Sequence, residues 1–239
     1  MNRTILAIDC SQRRSVLAVA RGPVVHARWV EPLAEGTRAG GREVFWDELR
    51  ALMSEAAVEP WEFEGVAVAT GPGGFTGLRV AIAFAKAFAL AREVPVVGIG
   101  SAMVFAASDA ARGGKGPWLV ALASKGATAW CARVRRDVEA PFSEDAGEVL
   151  DASAFLPRAS AIAAAGGAVL SDEHLAPELA KVAGSVGAHV RPILADPCAL
   201  AMLAQLAFSA GRTVDPLALT PIYPREPEAV TKWRERHGG

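Results

Sequence analysis

The chain has 239 residues, 51% of them hydrophobic, 21% charged and 7% aromatic, which supplies ample core material and excludes a disordered chain. The 25 Lys and Arg balance 26 Asp and Glu for a net charge of −1, so no strong cationic field draws in nucleic acid or anionic lipid. Cys10, Cys131 and Cys198 are widely spaced with no C-x-x-C pair, and read as reduced cytosolic thiols instead of a disulfide frame or zinc knuckle. The apolar run after Met1 stops at Asp9, too soon for a secretion signal. Lys86 and Arg92 break the most apolar stretch well short of the roughly 20 residues that span a bilayer. The expectation is a cytoplasmic protein without membrane contact.

In chain order, residues 4–9, 15–20 and 24–30 read as three strands in a meander, separated by polar and Gly-Pro turns. Residues 31–41, with Pro32, Gly36, Gly40 and Gly41, read as a loop. Phe45, Leu49, Leu52 and Ala56 recur at helical spacing and predict a helix over 42–57, with Trp46 and Met53 widening its apolar stripe. A strand at 65–70 runs into a glycine-rich turn at 71–79, followed by a helix from 80 to about 91. A strand at 95–99 precedes a helix to about 111, which Ser101 is placed to cap. Strands at 118–123 and 128–134 open a second β-rich stretch. Beyond it, a strand is predicted at about 161–165 and small helical segments around Ser153 and Pro177. Pro197 starts a final helix to Ala210, closed by Gly211, and a Pro-studded charged tail follows. The meander with crossover helices, begun again in the second half, predicts two related α/β lobes hinged near 101–117. The division expected is 1–101, 102–195 and a C-terminal helix and tail at 196–239 that docks back on the first lobe.

The glycine turn lacks both G-x-G-x-x-G spacing and a Gly-Lys-Ser/Thr close, and Pro72 removes a donor. It reads as a tight, close-packed turn more than a phosphate cradle, with Gly73 or Gly74 needing an unusual backbone angle and Gly77 allowing close approach. The helix behind it is apolar around nearly its whole circumference, Arg79 and Lys86 excepted. A helix on a sheet needs one apolar side, so this helix and its neighbour at 42–57 predict a hydrophobic patch for another chain.

The strings Ile5-Leu6-Ala7-Ile8-Asp9-Cys10-Ser11, Gly71-Pro72-Gly73-Gly74-Phe75-Thr76-Gly77-Leu78-Arg79, Ala85-Lys86-Ala87-Phe88-Ala89, Pro95-Val96-Val97-Gly98 and Leu219-Thr220-Pro221-Ile222-Tyr223-Pro224-Arg225 resemble the TsaB (YeaZ) family. The resemblance covers most of the first 110 residues and the tail; the middle diverges. It implies the two-lobed actin-like, sugar-kinase-like ATPase fold, ribonuclease H-like in each lobe. It also implies a part in making threonylcarbamoyladenosine, the modified base beside the anticodon in tRNAs that read codons beginning with A. The family member is not the transferase: it pairs with and stabilises a related catalytic subunit, TsaD, a small ATPase, TsaE, joins them, and tRNA is met through the complex. The family pairs through its first two helices. That carries over to Phe45, Trp46, Leu49, Leu52 and Met53 on the first, and to Thr76, Arg79, Val80, Ala83, Phe84 and Ala87 on the second. A homodimer through the same helices stays open.

The catalytic relative holds a metal through two histidines four apart, after the strand matching 95–99; here those places hold Ser101 and Phe105. A hydroxyl binds divalent metal poorly and a phenyl ring not at all, and no metal site is expected. The resemblance implies no tightly bound cofactor on this chain, with ATP or ADP at the interface of the complex. Asp9 and Ser11 end the first strand where nucleotide-binding members of the fold place a phosphate-facing turn, and strand-end capping without a ligand is the equal alternative. The sequence also departs from the family at Gly41-Arg42 and Ala123-Ser124-Lys125, leaving ligand contacts there unassigned.

Arg133 with Arg135 and Arg136, His189 with Arg191, and the basic residues of the tail are weighed as tRNA contacts against plain exposed charge, which is commoner. Cys10 is weighed as a nucleophile against a small buried residue. Two enzymatic alternatives remain: a stand-alone ATP-dependent phosphotransferase, and, less favoured without H-E-x-x-H or G-x-S-x-G, an M22-type peptidase.

Overall fold

The computed structural model describes residues 3–31, 41–136, 142–224, 233–234 and 236–237. Strands β1 (Thr4–Asp9), β2 (Ser15–Arg21) and β3 (Val24–Val30) form an antiparallel meander. Strands β4 (Gly65–Gly71) and β5 (Val96–Gly100) add parallel to β1, giving the order β3-β2-β1-β4-β5. β1 and β4 are buried at every position, which is why they read as unbroken apolar runs. Alternation sorts β1 between two cores. Leu6 and Ile8 face helices α1 (Gly41–Glu55) and α2 (Phe75–Arg92), while Ile5 and Ala7 face α3 (Ser101–Ala111) and α6 (Pro197–Ser209).

The second sheet repeats the first. Strands β6 (Trp118–Ala123), β7 (Ala129–Arg135) and β8 (Ser143–Glu144) are antiparallel, with β9 (Glu148–Leu150) also paired on β7. β10 (Ala168–Ser171) and β11 (His189–Pro192) then run parallel to β6, in the order β8-β7-β6-β10-β11. Helices α4 (Ala152–Ala164) and α5 (Pro177–Ser185) cover its outer face through Phe155, Ile162 and Leu179. The two-lobed α/β reading therefore holds, down to the same strand order in each sheet.

Helices α3 and α6 lie between the sheets, so Phe105, Leu200 and Leu203 share one core with Trp118, Val120 and Trp130. A buried polar lock fixes that junction. Asp109 of α3 accepts from Trp118 Nε1 at 2.8 Å and from Arg191 Nη1 at 2.9 Å, joining α3 to both β6 and β11. α6 is bounded as its sequence predicts. Asp196 accepts from the Cys198 and Ala199 N–H groups, Pro197 occupies the first turn, and Gly211 (φ 68°) lets Arg212 N–H reach the Ala207 carbonyl.

Three local expectations are corrected. The α2 helix begins at Phe75, five residues before the predicted start, because the chain is already helical after Gly74 and Gly77 sits in the first turn. Residues 161–164 continue α4: three alanines around the single β-branched Ile162 favour helix, and the strand starts at Ala168, past Gly166 (φ 68°). Ser101 does not cap α3; Gly100 occupies the cap position, and the Ser101 hydroxyl is buried without a partner. Most of the predicted loop, residues 32–40, lies outside the described residues, as do Arg225 and Lys232 of the tail. Among the described residues no helix is long and apolar enough to cross a membrane.

Candidate functional site

Two surfaces meet at the N-terminal end of α2: a helical face pointing away from the sheet, and a cleft between the lobes. The turn leading into α2 is built by close approach. A Cβ at Gly73 would run into the Ser11 carbonyl, and one at Gly77 into the Cys10 carbonyl, while Gly74 N–H donates to Ser11 O at 2.7 Å. The close-packed reading of the turn thus stands, with one correction. The left-handed backbone angle falls on Gly71 (φ 96°) and not on Gly73 or Gly74.

The predicted interface residues divide into core and surface. Phe45, Leu49 and Leu52 are buried beneath the first sheet's helices, together with Ala81, Ile82 and Ala85, so these three side chains hold α1 down and offer no free surface. The surplus aromatic residues partly satisfy one another. Trp46 sits edge-on to Phe45 (4.9 Å between centroids) and to Phe84 (5.1 Å), and Phe84 leans on Phe88 (5.6 Å). The remaining face runs along α2 as Thr76, the pair Arg79 and Val80, then Ala83 and Ala87, about one turn between successive steps, and continues to Leu90, which is 52% exposed. Val80 and Phe84 are half-buried, and Met53 and Trp46 flank the stripe from α1. Small side chains along the middle let another backbone come close.

The cleft is about 440 Å³ and is floored by Ser11, Gly73 and Gly74 from the first lobe, facing Ala123, Asp172 and His174 from the second. Asp9 lies one step deeper and is 1% exposed. Its Oδ1 accepts the Ser11 N–H at 2.7 Å, a strand-end turn, while Oδ2 and the Ser11 hydroxyl are buried without partners. Burial raises the Asp9 carboxyl above the usual carboxylate range, partly offset by the nearby Ser11. Asp172 is engaged by backbone, accepting from Ala123 N–H at 2.9 Å and His174 N–H at 3.0 Å. Among the described residues no group of three His, Cys, Asp or Glu is arranged to hold a metal ion. Ser101 and Phe105 are both fully buried.

The remaining candidates resolve toward structure. Arg133 and Arg135 both pair with Asp145, at 2.9 and 3.2 Å, and Arg191 pairs with Asp109, so these charges are engaged within the second lobe. Burial pushes the Cys10 thiol up to about 12, which fits a packing residue and not a nucleophile. Sequence reasoning misses Tyr223 as a site residue. It lines the cleft and also accepts a hydrogen bond from Arg79 Nε at 2.8 Å. The only sequence trace of this pairing is that both residues fall inside the strings quoted above.

Residues 42–157 match the family described as TsaD, tRNA N6-adenosine threonylcarbamoyltransferase. The chain is 28% identical over 105 residues to the tRNA threonylcarbamoyladenosine biosynthesis protein TsaB of Bacillus subtilis, a stretch covering 44% of each protein. It is 32% identical over 107 residues to the tRNA N6-adenosine threonylcarbamoyltransferase of Trichlorobacter lovleyi, covering 40% of this chain and 31% of that one. The chain thus spans less than half the length of these curated relatives. In fold it is similar to YeaZ from Pseudomonas aeruginosa, with a TM-score of 0.72 and 21% identity over 92% of this chain and 99% of that one.

Proposed function

We propose that the chain, which is similar over 44% of its length to TsaB proteins and has the fold of YeaZ, is a non-catalytic subunit of the machinery that makes threonylcarbamoyladenosine in tRNA. It docks on a TsaD-type catalytic subunit through the α2 face of its first lobe and stabilises that subunit. One observation carries the reading: the α2 stripe of Val80, Ala83, Ala87 and Leu90 stays at the surface although it is apolar, whereas the rest of the α1 and α2 surplus packs inside the lobe. Ser101 and Phe105, where the catalytic relative has its metal-binding histidines, support assigning the chemistry to the partner. The net charge of −1 likewise suits a subunit that meets tRNA through the complex. A TsaE-type ATPase completes the assembly, in the cytoplasm, with ATP or ADP held at the interface of the complex. A homodimer through the same face is the competing state of the isolated chain.

Gel filtration of the chain mixed with the catalytic subunit of the same organism tests this. The expected result is one co-eluting species that replaces any self-paired form; separate elution at micromolar concentrations contradicts it. The unpartnered Ser11 hydroxyl in the cleft favours a second reading, a stand-alone phosphotransferase. It requires the isolated chain to bind Mg-ATP in a titration calorimeter, where the subunit reading expects weak heats or none.

A further inference from the structure

The C-terminal segment crosses the first lobe as a strap. The Val214 N–H donates to Val96 O, Lys86 Nζ donates to the Leu217 and Leu219 carbonyls, Leu219 is buried, and the Ile222 N–H donates to Thr70 O at 2.8 Å. The strap delivers Tyr223 to the first turn of α2. There Arg79 Nε donates to Tyr223 Oη at 2.8 Å, and the guanidinium lies 3.7 Å from the Phe75 ring centroid. The Phe75 and Tyr223 rings are 5.6 Å apart. A guanidinium bonded through Nε and seated on a ring has one orientation, and among the described residues neither of its η nitrogens has a partner. The fork is presented beside the positive end of an 18-residue helix whose first turn holds no acidic residue.

We propose that Tyr223 is a positioning residue for docking: it holds Arg79 so that the free edge of the guanidinium receives a carboxylate of the catalytic subunit at the N-terminal end of the α2 stripe. The occupant follows from charge and continuity. A planar two-nitrogen donor next to a helix N-terminus selects a planar anion, and Arg79 lies in line with Thr76, Val80 and Ala83, so the anion arrives with the chain that covers those residues. This rests on the docking role proposed above. A tRNA phosphate is the other anion of matching chemistry, and the test separates it.

The experiment measures affinity for the catalytic subunit by titration calorimetry for the wild type, Tyr223→Phe, Arg79→Lys and the double variant. Tyr223→Phe keeps the ring and removes only the acceptor that fixes Arg79. It is expected to weaken binding about fivefold, and Arg79→Lys about tenfold or more. The double variant should match Arg79→Lys within about twofold, since the two act through one contact. Raising salt should narrow the gap to wild type, and the melting temperature of Tyr223→Phe should stay at the wild-type value, because Tyr223 is 38% exposed. An unchanged affinity for Tyr223→Phe overturns the proposal while leaving the docking role intact. Additive losses, or a loss confined to tRNA binding by the assembled complex, also overturn it. Failure of the wild-type chain to bind the catalytic subunit removes both.

Discussion

A carboxylate placed at Ala83 is expected to abolish assembly with the catalytic subunit while the chain itself stays folded. Ala83 is exposed at the centre of the α2 stripe, so Ala83→Glu costs the monomer only about 0.5 kcal/mol or less. In a docked state the same charge is desolvated between helices without a partner, a penalty of about 3–5 kcal/mol, which lowers affinity by roughly a hundredfold or more. Co-elution and melting temperature are measured together. The account expects co-elution lost and melting unchanged; wild-type affinity would show that the stripe is not the docking face. The same change at Phe45 or Leu52 does not make this test. These residues are 7% and 0% exposed, and a charge there unfolds the first lobe before any partner is involved.

The second large effect lies far from that face. Glu144, on β8, is tucked against Gly100, where a Cβ would collide with its carboxylate. It accepts the Met103 N–H at the start of α3. Burial outweighs that hydrogen bond and pushes the carboxyl up to about 7. A carboxyl whose folded value is raised binds its proton more tightly in the native state than in the unfolded chain. Its contribution to stability is therefore complete below its ordinary range near 4.5 and is lost as pH rises through about 7. Glu144→Gln keeps a hydrogen-bond acceptor and removes the titration. The two proteins should melt together near pH 4, below the ordinary carboxyl range, with the Gln variant more stable at about pH 8 by on the order of 2–3 kcal/mol, roughly 5–10 °C in a chain of this size. Asp9 shifts in the same direction and is present in both proteins, so the difference between the melting curves isolates Glu144. A Gln variant that melts lower than wild type at the higher pH would mean that the ionised carboxylate is a net stabiliser of α3.

Much of the architecture is legible in the sequence because two-sided burial writes itself as unbroken apolar runs. The meander of β1–β3, the strand before the glycine turn, β6 and the bounds of α6 are all placed by pattern and capping chemistry. What periodicity leaves open is which surface covers an apolar face. Phe45, Leu49 and Leu52 read equally well as core and as interface until β2 and β3 are placed beneath them. Likewise α3, apolar on nearly every side, gives no sign that it is clamped between two sheets. The shift of β10 has a local cause: alanine serves both helix and buried strand, and Gly166 with Gly167 marks the break more reliably than hydrophobicity does. Two features of the site depend on contacts across long sequence separations. Tyr223 meets Arg79 across 144 positions, and Glu144 on β8 lies against the start of α3; no short window along the chain contains either pair.

The central claim is that this chain enables a catalytic partner without performing the chemistry. Its most direct test is formation of threonylcarbamoyladenosine on tRNA by the purified catalytic subunit and ATPase, with an activated threonylcarbamoyl donor supplied, in the presence and absence of this chain. The account predicts product only when the chain and the catalytic subunit are both present, none from the chain without that subunit, and none when Ala83→Glu replaces the wild type. Full product without this chain, or restored product with Ala83→Glu, would contradict it.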